Sequence, residues 1–538
     1  MLKRTFAALA FAGAAVAMSS CASPVTTASA GSRTGCATTT SLGAVAGTVR
    51  EGLCVFRGIR YAEPPTGALR FRPPRPVGRW RGTLKATDDK AVCPQDRDAM
   101  SEDYPDGRAL FTDEDCLRLN VWTPAPDHRR RPVIVFVHGG AARYGTANEP
   151  RYDGARLAAR GDAVVVSINY RLGVLGWSEL GGLDPAYKGS GNNGLRDQIT
   201  ALRWVHDHIA DFGGDPADVT AVGESAGAFS LSAMLATDHP ERLFRRVVLE
   251  SGSGALVHTA AYEREVAAQL PVKSVAELRG MSTKQILDLQ NKVIDQDAPG
   301  IIGATYFAPY IDGALVRDSV VTRVARGNAR GVDLLIGTNR DEMNFFGQLG
   351  PEAMTAIGQQ YDAVFFPHAL AARRERMVAA YRRGRSATEA ALAMFTDQGM
   401  RVPATRLAQA QSRWRPTYLY EFGWRPTKEY GAVHTLELPF VFGTFRFTGI
   451  LGGEEAFNAD RARLTTLSDQ MIDAWTSFAR TGDPNARRTV ERPAWPAYRA
   501  PRRATMMWNV GAKVADDPRG RERALWNGYP FTAFGLPA

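Results

Sequence analysis

The sequence predicts an α/β fold in which a mostly parallel central sheet is covered by helices on both faces. Three observations predict it: an ordinary globular composition, with 44% hydrophobic and 23% charged residues; apolar runs of strand length; and helical stretches that alternate with these runs. Runs that are apolar almost throughout are typical of central strands buried on both faces. We expect a single domain over residues 36–538, because no repeat, linker or second apolar span follows residue 35.

Four apolar runs mark the predicted central strands. They are PVIVFV at 132–137, AVVVSIN at 163–169, RVVLES at 246–251 and VDLLIGT at 332–338. A helix between the second and third runs is predicted by one apolar stripe with steps of three or four residues. Its members are Leu195, Ile199, Leu202, Val205, Ile209 and Phe212.

Ser225 lies in the G-x-S-x-G pentapeptide GESAG, between the strand-like DVTAVG and the helix-compatible AFSLSAMLA. A nucleophile elbow needs this order of strand, turn and helix, because a sharp turn with small flanking residues lifts the serine Oγ out of the sheet. The pentapeptide alone is weak evidence in a chain with 52 glycines. Ser225 is a candidate nucleophile if the chain also supplies a base, an acid and oxyanion donors.

The candidate base must follow both the serine and the acid in a fold of this type. His434 fits, because it lies in a loop after the strand-like TYLYEFGW, although an ordinary structural histidine is the alternative. His239 and His368 are expected to be surface or capping residues.

The candidate acid lies in LLIGTNRDEMNFF, just beyond a predicted strand, where spacing leaves both Asp341 and Glu342 open. An exposed loop pair is the alternative for these two carboxylates. For the oxyanion, VIVFVHGGAARYG ends a strand with two glycines, which let the backbone turn its N–H groups toward a developing negative charge. The amide of Ala226, directly after the serine, would complete this donor set.

Nine ordered motifs, from about residue 42 to the end, resemble the type B carboxylesterases, the family that includes cholinesterases, and above all its bacterial para-nitrobenzyl-esterase-type members. They are VFRGIRYAEPPTGALRF, EDCLRLNVWTP, VFVHGGA, SINYRLGVLGW, NNGLRDQITALRWV, IADFGGDPADVTAVGESAGA, GTNRDE, HTLELPFVFG and WTSFARTGDPN. The resemblance implies an α/β-hydrolase fold and a serine hydrolase that cleaves short-chain acyl and aryl esters. It implies a small-molecule ester as partner, no cofactor and no metal.

The resemblance also implies roles for individual residues. The triad of nucleophile, base and acid would be Ser225, His434 and Glu342, which leaves Asp341 out. The oxyanion donors would be the amides of Gly140, Ala141 and Ala226. Glu224 would either hydrogen-bond into the same site or cap the turn. Two structural ion pairs are implied as well: Arg57 with Glu114, and Arg171 with Asp197.

Three positions depart from the family pattern. Ala142 and Arg143 stand where the family commonly has an aromatic residue, and Met343 stands where it often has glycine after the catalytic glutamate. None of these changes removes a reacting group, so they bear on substrate preference. The alternative functions are those of the family's non-catalytic adhesion proteins, which lose the serine, and of a choline-ester-specific or lipid-specific esterase.

Four of the five cysteines are expected to form disulfides, since processing removes or lipidates Cys21. Pairing of neighbours in the sequence, Cys36 with Cys54 and Cys93 with Cys116, is the simplest of the three possible connectivities. The resemblance implies the second bridge, whereas the first depends on parity alone.

Residues 1–35 are predicted to be an export signal and a tether. Two basic residues precede an apolar stretch at 6–18 that is too short to span a bilayer as a stable helix. Two processing sites compete: MSSC, which ends at Cys21 and resembles a bacterial lipobox, and ASA at 28–30, which fits A-x-A cleavage. The lipobox is slightly favoured, so we expect an extracellular protein or one lipid-anchored on the outer face of a bacterial membrane.

The net charge of +10 would permit an anionic partner. The arginines are spread along the chain with only short clusters, which favours solvated faces over a nucleic-acid patch. We therefore expect no nucleic-acid partner, and a monomer is favoured.

Overall fold

The computed structural model describes residues 35–88, 91–96, 111–297, 306–349 and 371–529. Cys21, both predicted processing sites and His368 lie outside the described residues. Residues Gly35–Ala538 form one compact unit by their contacts. Within the described ranges, no helix is both long and apolar enough to cross a membrane.

The elements of the described chain are numbered in chain order. The strands are β1 (Ala37–Thr40), β2 (Gly43–Ala46), β3 (Thr48–Arg50), β4 (Leu53–Arg60), β5 (Thr83–Lys85), β6 (Arg118–Thr123), β7 (Arg131–Val137), β8 (Val164–Ile168), β9 (Gly214–Glu224), β10 (Arg246–Glu250), β11 (His258–Thr259), β12 (Tyr310–Ile311), β13 (Asp333–Asn339), β14 (Thr417–Phe422), β15 (Ala504–Trp508) and β16 (Lys513–Asp516). The α-helices are α1 (Ala155–Gly161), α2 (Gly173–Trp177), α3 (Asn193–His208), α4 (Ala226–Met234), α5 (Ala260–Ala268), α6 (Val275–Gly280), α7 (Thr283–Asp297), α8 (Val320–Ala325), α9 (Ala371–Tyr381), α10 (Ala387–Thr396), α11 (Val402–Gln411), α12 (Leu438–Val441), α13 (Gly453–Ala459), α14 (Arg461–Thr481) and α15 (Gly520–Leu525).

The central sheet has eleven strands in the order β16-β15-β14-β13-β10-β9-β7-β8-β6-β4-β3. The strands from β15 to β8 in this order are mutually parallel, and antiparallel strands extend the sheet at both edges. The prediction of a mostly parallel sheet is therefore confirmed. The four predicted apolar runs correspond to β7, β8, β10 and β13.

Strand β7 explains why these runs are apolar almost throughout. Val133, Val135 and Val137 belong to one hydrophobic cluster, while Ile134 and Phe136 belong to another. Successive side chains of a strand point to opposite faces of a sheet, so the two clusters cover the two faces. Every residue of β7 is buried as a result.

The predicted helix is α3, and the six residues of its apolar stripe are all buried, the last two in the 3₁₀ turn that follows. That turn ends at Gly213, whose φ of 85° lies in the left-handed region that glycine tolerates. The chain then enters β9, the strand that leads to Ser225.

Both expected disulfides are present in the structure, Cys36–Cys54 and Cys93–Cys116. Disulfides persist in oxidising compartments and are rare in reducing ones. The two bridges therefore indicate the oxidising environment that an exported protein meets.

Of the two expected ion pairs, the structure contains one, and the prediction of the other is wrong. Arg171 Nη2 lies 2.7 Å from Asp197 Oδ1, with both side chains buried. The expected pair of Arg57 with Glu114 is replaced, because Arg70 binds Glu114 instead. Arg57 lies over the Trp122 ring and has its Nη2 3.2 Å from Asp153 Oδ2, so its charge is directed to another carboxylate.

Candidate active site

Ser225 occupies a sharp turn between β9 and α4. Its φ of 51° and ψ of −121° are unfavourable for a residue with a side chain, as is typical of a nucleophile elbow. A Cβ at Gly223 would lie 2.6 Å from the carbonyl carbon of Gly227, and one at Gly227 would lie 2.1 Å from the carbonyl oxygen of Val137. Only glycine fits at either position, which explains the spacing of the pentapeptide. The Ser225 N–H donates to the carbonyl of Glu250 at 2.9 Å, which ties the turn to β10.

His434 lies between the serine and a buried glutamate. Its Nε2 is 2.8 Å from Ser225 Oγ, and its Nδ1 is 2.7 Å from Glu342 Oε2. Glu342 is fully buried, and its Oε1 accepts a hydrogen bond from the Asn339 N–H at 2.7 Å. The three side chains follow β9, β13 and β14, whose carboxyl ends meet at one edge of the parallel sheet. Sequence spacing left Asp341 and Glu342 open, and the structure brings Glu342 to the imidazole.

Asp341 instead joins the two loops that carry the acid and the histidine. Its Oδ2 accepts from the Ala432 N–H at 2.8 Å, and its own N–H donates to the Ala432 carbonyl at 2.8 Å. Gly431 approaches so closely that a Cβ there would lie 2.6 Å from Asp341 Oδ2. From the same loop, Asn339 Nδ2 donates to the Val433 carbonyl at 2.7 Å. These contacts hold the histidine loop against the end of β13.

The three candidate oxyanion donors are backbone amides beside Ser225. Gly140 and Ala141 have φ values of 98° and 55°, which turn this segment away from the extended course of β7. Gly139 brings it against the serine, since a Cβ at Gly139 would lie 2.9 Å from Ser225 Cβ. Within the described ranges, the N–H groups of Gly140, Ala141 and Ala226 have no hydrogen-bond acceptor. They remain available to a negatively charged oxygen.

Three buried glutamates, Glu224, Glu342 and Glu437, act electrostatically on His434, and a fourth, Glu250, interacts with Glu224 and Glu437. Glu224 Oε1 lies 3.4 Å from His434 Nε2. Glu437 accepts from Asn339 Nδ2 at 2.5 Å, and Glu250 accepts from Trp475 Nε1 at 2.6 Å. Sequence reasoning missed Glu250 and Glu437. A signal for Glu437 exists, because it is a charged residue within the otherwise apolar LELPFVF, three positions after His434.

These carboxylates govern the protonation of His434. Burial disfavours the imidazolium, but Glu224 and Glu342 outweigh burial and raise the pKa of His434 to about 9. Burial raises the pKa of Glu224 to about 8, while His434 acts in the opposite direction. The protonated, inactive form of the candidate base is thus favoured over a wider pH range than for an ordinary histidine.

Replacing Glu224 with glutamine is expected to lower the pKa of His434, because it removes the charge 3.4 Å from Nε2. Only neutral imidazole can accept the serine proton, so kcat/KM falls as the pH drops through this pKa. In the wild type we expect the midpoint above the usual histidine range of about 6 to 7, and in Glu224→Gln we expect it at lower pH.

The measurement is kcat/KM for an uncharged aryl ester between pH 5 and 10. Glu241→Gln is the matched control, because Glu241 pairs with the exposed His239 at 3.1 Å, away from the site. A midpoint that is unchanged or higher in Glu224→Gln contradicts the electrostatic argument.

The remaining sequence-derived residues lie as follows. His239 is at the surface, as expected, and His258 is buried against Glu263. Met343 is buried in a cluster with Phe229 and Phe395. In the part of the chain that the structure describes, no group of three or more His, Cys, Asp or Glu residues could hold a metal ion.

Comparison with known proteins finds one family over nearly the whole described chain. The sequence model of the carboxylesterase family matches residues 35–526. The para-nitrobenzyl esterase of Bacillus subtilis is 36% identical over 90% of this chain and 97% of its own length. The phenmedipham hydrolase of Pseudarthrobacter oxydans is 33% identical over 89% and 96%. The solved structure of a thermophilic PNB esterase superposes with a TM-score of 0.81 at 34% identity, over 91% of this chain and 100% of that one.

Proposed function

Because the chain belongs to the carboxylesterase family, has the α/β-hydrolase fold and hydrolyses carboxylic esters, we propose that it works through an acyl-enzyme formed on Ser225. One observation carries the proposal: the unbroken chain of hydrogen bonds from Ser225 Oγ through both ring nitrogens of His434 to Glu342. A serine so placed is a nucleophile with its base and orienting acid in contact.

The proposed reaction begins when His434 Nε2 takes the proton from Ser225 Oγ as the oxygen attacks the ester carbonyl carbon. The tetrahedral oxyanion then accepts hydrogen bonds from three amides: Gly140, Ala141 and Ala226. His434 returns the proton to the leaving alcohol and afterwards activates the water that releases the acid. Glu342 holds the imidazole tautomer and stabilises the imidazolium.

Labelling with an organophosphate tests this proposal directly. We expect the wild type to gain the mass of one phosphoryl group at Ser225, with parallel loss of turnover. Purified protein that resists the reagent, or is labelled elsewhere, would favour the alternative of a binding protein that has kept the fold without the chemistry.

For the substrate we propose short-chain acyl and aryl esters, without a large preference for choline esters. Cholinesterases bind the quaternary ammonium over a tryptophan of the loop closed by the bridge that Cys93–Cys116 resembles. The corresponding loop here contains no tryptophan, although eight carboxylates against two arginines could attract cations diffusely.

We expect butyrylcholine and its uncharged 3,3-dimethylbutyl analogue to have similar kcat/KM values at high salt. Diffuse attraction fades as salt rises, whereas a desolvated cation site resists screening. Steady-state kinetics at low and high salt separate the two cases. A choline preference above roughly tenfold that persists at high salt would reveal a cation site.

We further propose that the protein is exported and anchored by lipid on Cys21. Mass spectrometry of the mature N-terminus from the native host is expected to find a lipidated chain that begins at residue 21. A chain that begins near Gly31 would instead indicate A-x-A cleavage, and an unprocessed Met1 would contradict both sites.

A further inference from the structure

Arg143 lies close to the proposed oxyanion hole. Its N–H donates to the Gly140 carbonyl at 2.9 Å, which closes a tight turn that includes the proposed donors Gly140 and Ala141. The first and last Cα atoms of such a turn lie within about 7 Å of each other. Because Gly139 contacts Ser225, the long side chain of Arg143 begins one turn away from the reacting serine.

The guanidinium of Arg143 is half-buried and oriented by an uncharged partner. Its Nη2 donates to Asn291 Oδ1 at 2.5 Å, and its Cζ lies 4.9 Å from the centre of the Tyr144 ring. Asn291 is fixed from its other side, since its Nδ2 donates to Asp96 at 2.5 Å. Asparagine thus separates the arginine from the nearest carboxylate in this chain of contacts.

The charge of Arg143 has no direct counter-ion among the described residues. No carboxylate oxygen there lies within ion-pair distance of it, and its Nε is buried without a hydrogen-bond acceptor. Most other partly buried arginines that the structure describes contact a carboxylate, as Arg171 does. A guanidinium that is held in place without a carboxylate partner among the described residues retains donors in a fork that matches a carboxylate.

We propose that Arg143 selects carboxylic esters that carry an additional carboxylate, such as half-esters of dicarboxylic acids. This inference rests on the proposed function and extends the substrate range from neutral to anionic esters. The ester carbonyl would lie at Ser225 while the second carboxylate accepts hydrogen bonds from Arg143, a charge-assisted contact of the stronger kind.

The test compares anionic esters with neutral esters of nearly the same shape. On the acyl side the pair is 4-nitrophenyl hydrogen glutarate and 4-nitrophenyl valerate; on the alcohol side it is 4-carboxyphenyl butyrate and phenyl butyrate. In the wild type we expect at least one anionic ester to have a kcat/KM equal to or above that of its neutral partner, and the pair that does so identifies the side that faces Arg143.

In Arg143→Gln we expect kcat/KM for that anionic ester to fall about tenfold or more, while the neutral ester changes less than about threefold. Arg143→Lys keeps the charge but not the planar fork, so an intermediate loss is expected. Arg413→Gln is the control, because it removes the same charge from an exposed position just after α11 and should change neither ester.

Equal losses for both esters in Arg143→Gln would overturn the proposal, because Arg143 would then only tie the oxyanion segment to α7. Unchanged kinetics would overturn it too. If Arg143→Gln fails to fold, the kinetics of the wild type still test the proposal. This selectivity is excluded if the wild-type kcat/KM of each anionic ester is below about a tenth of that of its neutral partner. Absence of any turnover of the neutral esters would count against the proposed function itself.

Discussion

Ser225→Ala is expected to lower the turnover of short-chain aryl esters by roughly 10⁴-fold or more, since no other group in the site can form the acyl-enzyme. Alanine replaces a small side chain with a smaller one, and Gly223 and Gly227 preserve the room that the turn requires. We therefore expect the melting temperature to stay close to that of the wild type. Residual catalysis above the uncatalysed rate can persist through the oxyanion donors and substrate binding.

Hydrolysis of 4-nitrophenyl butyrate, with active-site titration to exclude contaminating wild type, measures the effect. Ser232→Ala is the matched control, because Ser232 is a buried serine on α4, the helix that follows Ser225, and its Oγ donates to the Phe229 carbonyl. Turnover of Ser225→Ala within tenfold of the wild type would remove Ser225 from the mechanism.

His434→Ala is expected to abolish activity at every pH, with a loss of roughly 10³-fold or more. The serine then has no base, and the dependence on imidazole protonation disappears along with the rate. Because both residues act in one proton transfer, the double variant should lose about as much as either single variant.

The pH profile from 5 to 10 provides the check, with His239→Ala as control, because the side chain of His239 is 63% exposed and pairs only with Glu241 among the described residues. A His434→Ala protein that keeps the wild-type profile would show that another group accepts the proton. If the loss in the double variant equalled the product of the two single losses, Ser225 and His434 would not act in one step.

The central strands could be predicted from the sequence because burial on both faces produces a local pattern, a run of mostly apolar residues. Each residue of β7 and β8 is buried, and apart from Arg131 and Ser167 both strands consist of apolar residues. Helix α3 could be predicted for the same reason, because its apolar stripe is also a local pattern in the sequence. The π-helical turn at Asp397–Arg401 could not be predicted, because one inserted residue changes neither the composition nor the apolar period enough to detect.

Sequence reasoning missed Glu250 and Glu437 because partners from distant segments decide their burial. Glu250 accepts a hydrogen bond from Trp475, 225 positions away, and Glu437 accepts one from Asn339, 98 positions away. The error at Arg57 has a similar origin. Arg57 and Arg70 both lie in the first motif of the family resemblance, and the structure places Arg57 over the Trp122 ring while Arg70 binds Glu114.

The positions of the three proposed catalytic side chains at the ends of β9, β13 and β14 also bear on how the protein folds. Ser225 and His434 are 209 positions apart, and His434 and Glu342 are 92 apart. Contacts of such high sequence separation form slowly, since the entropy of closing long loops opposes them until much of the chain has condensed. No short fragment of the chain can assemble this constellation. Recovery of ester hydrolysis after dilution from denaturant would therefore report the completed sheet rather than any early local structure, which makes enzymatic activity a stringent folding probe.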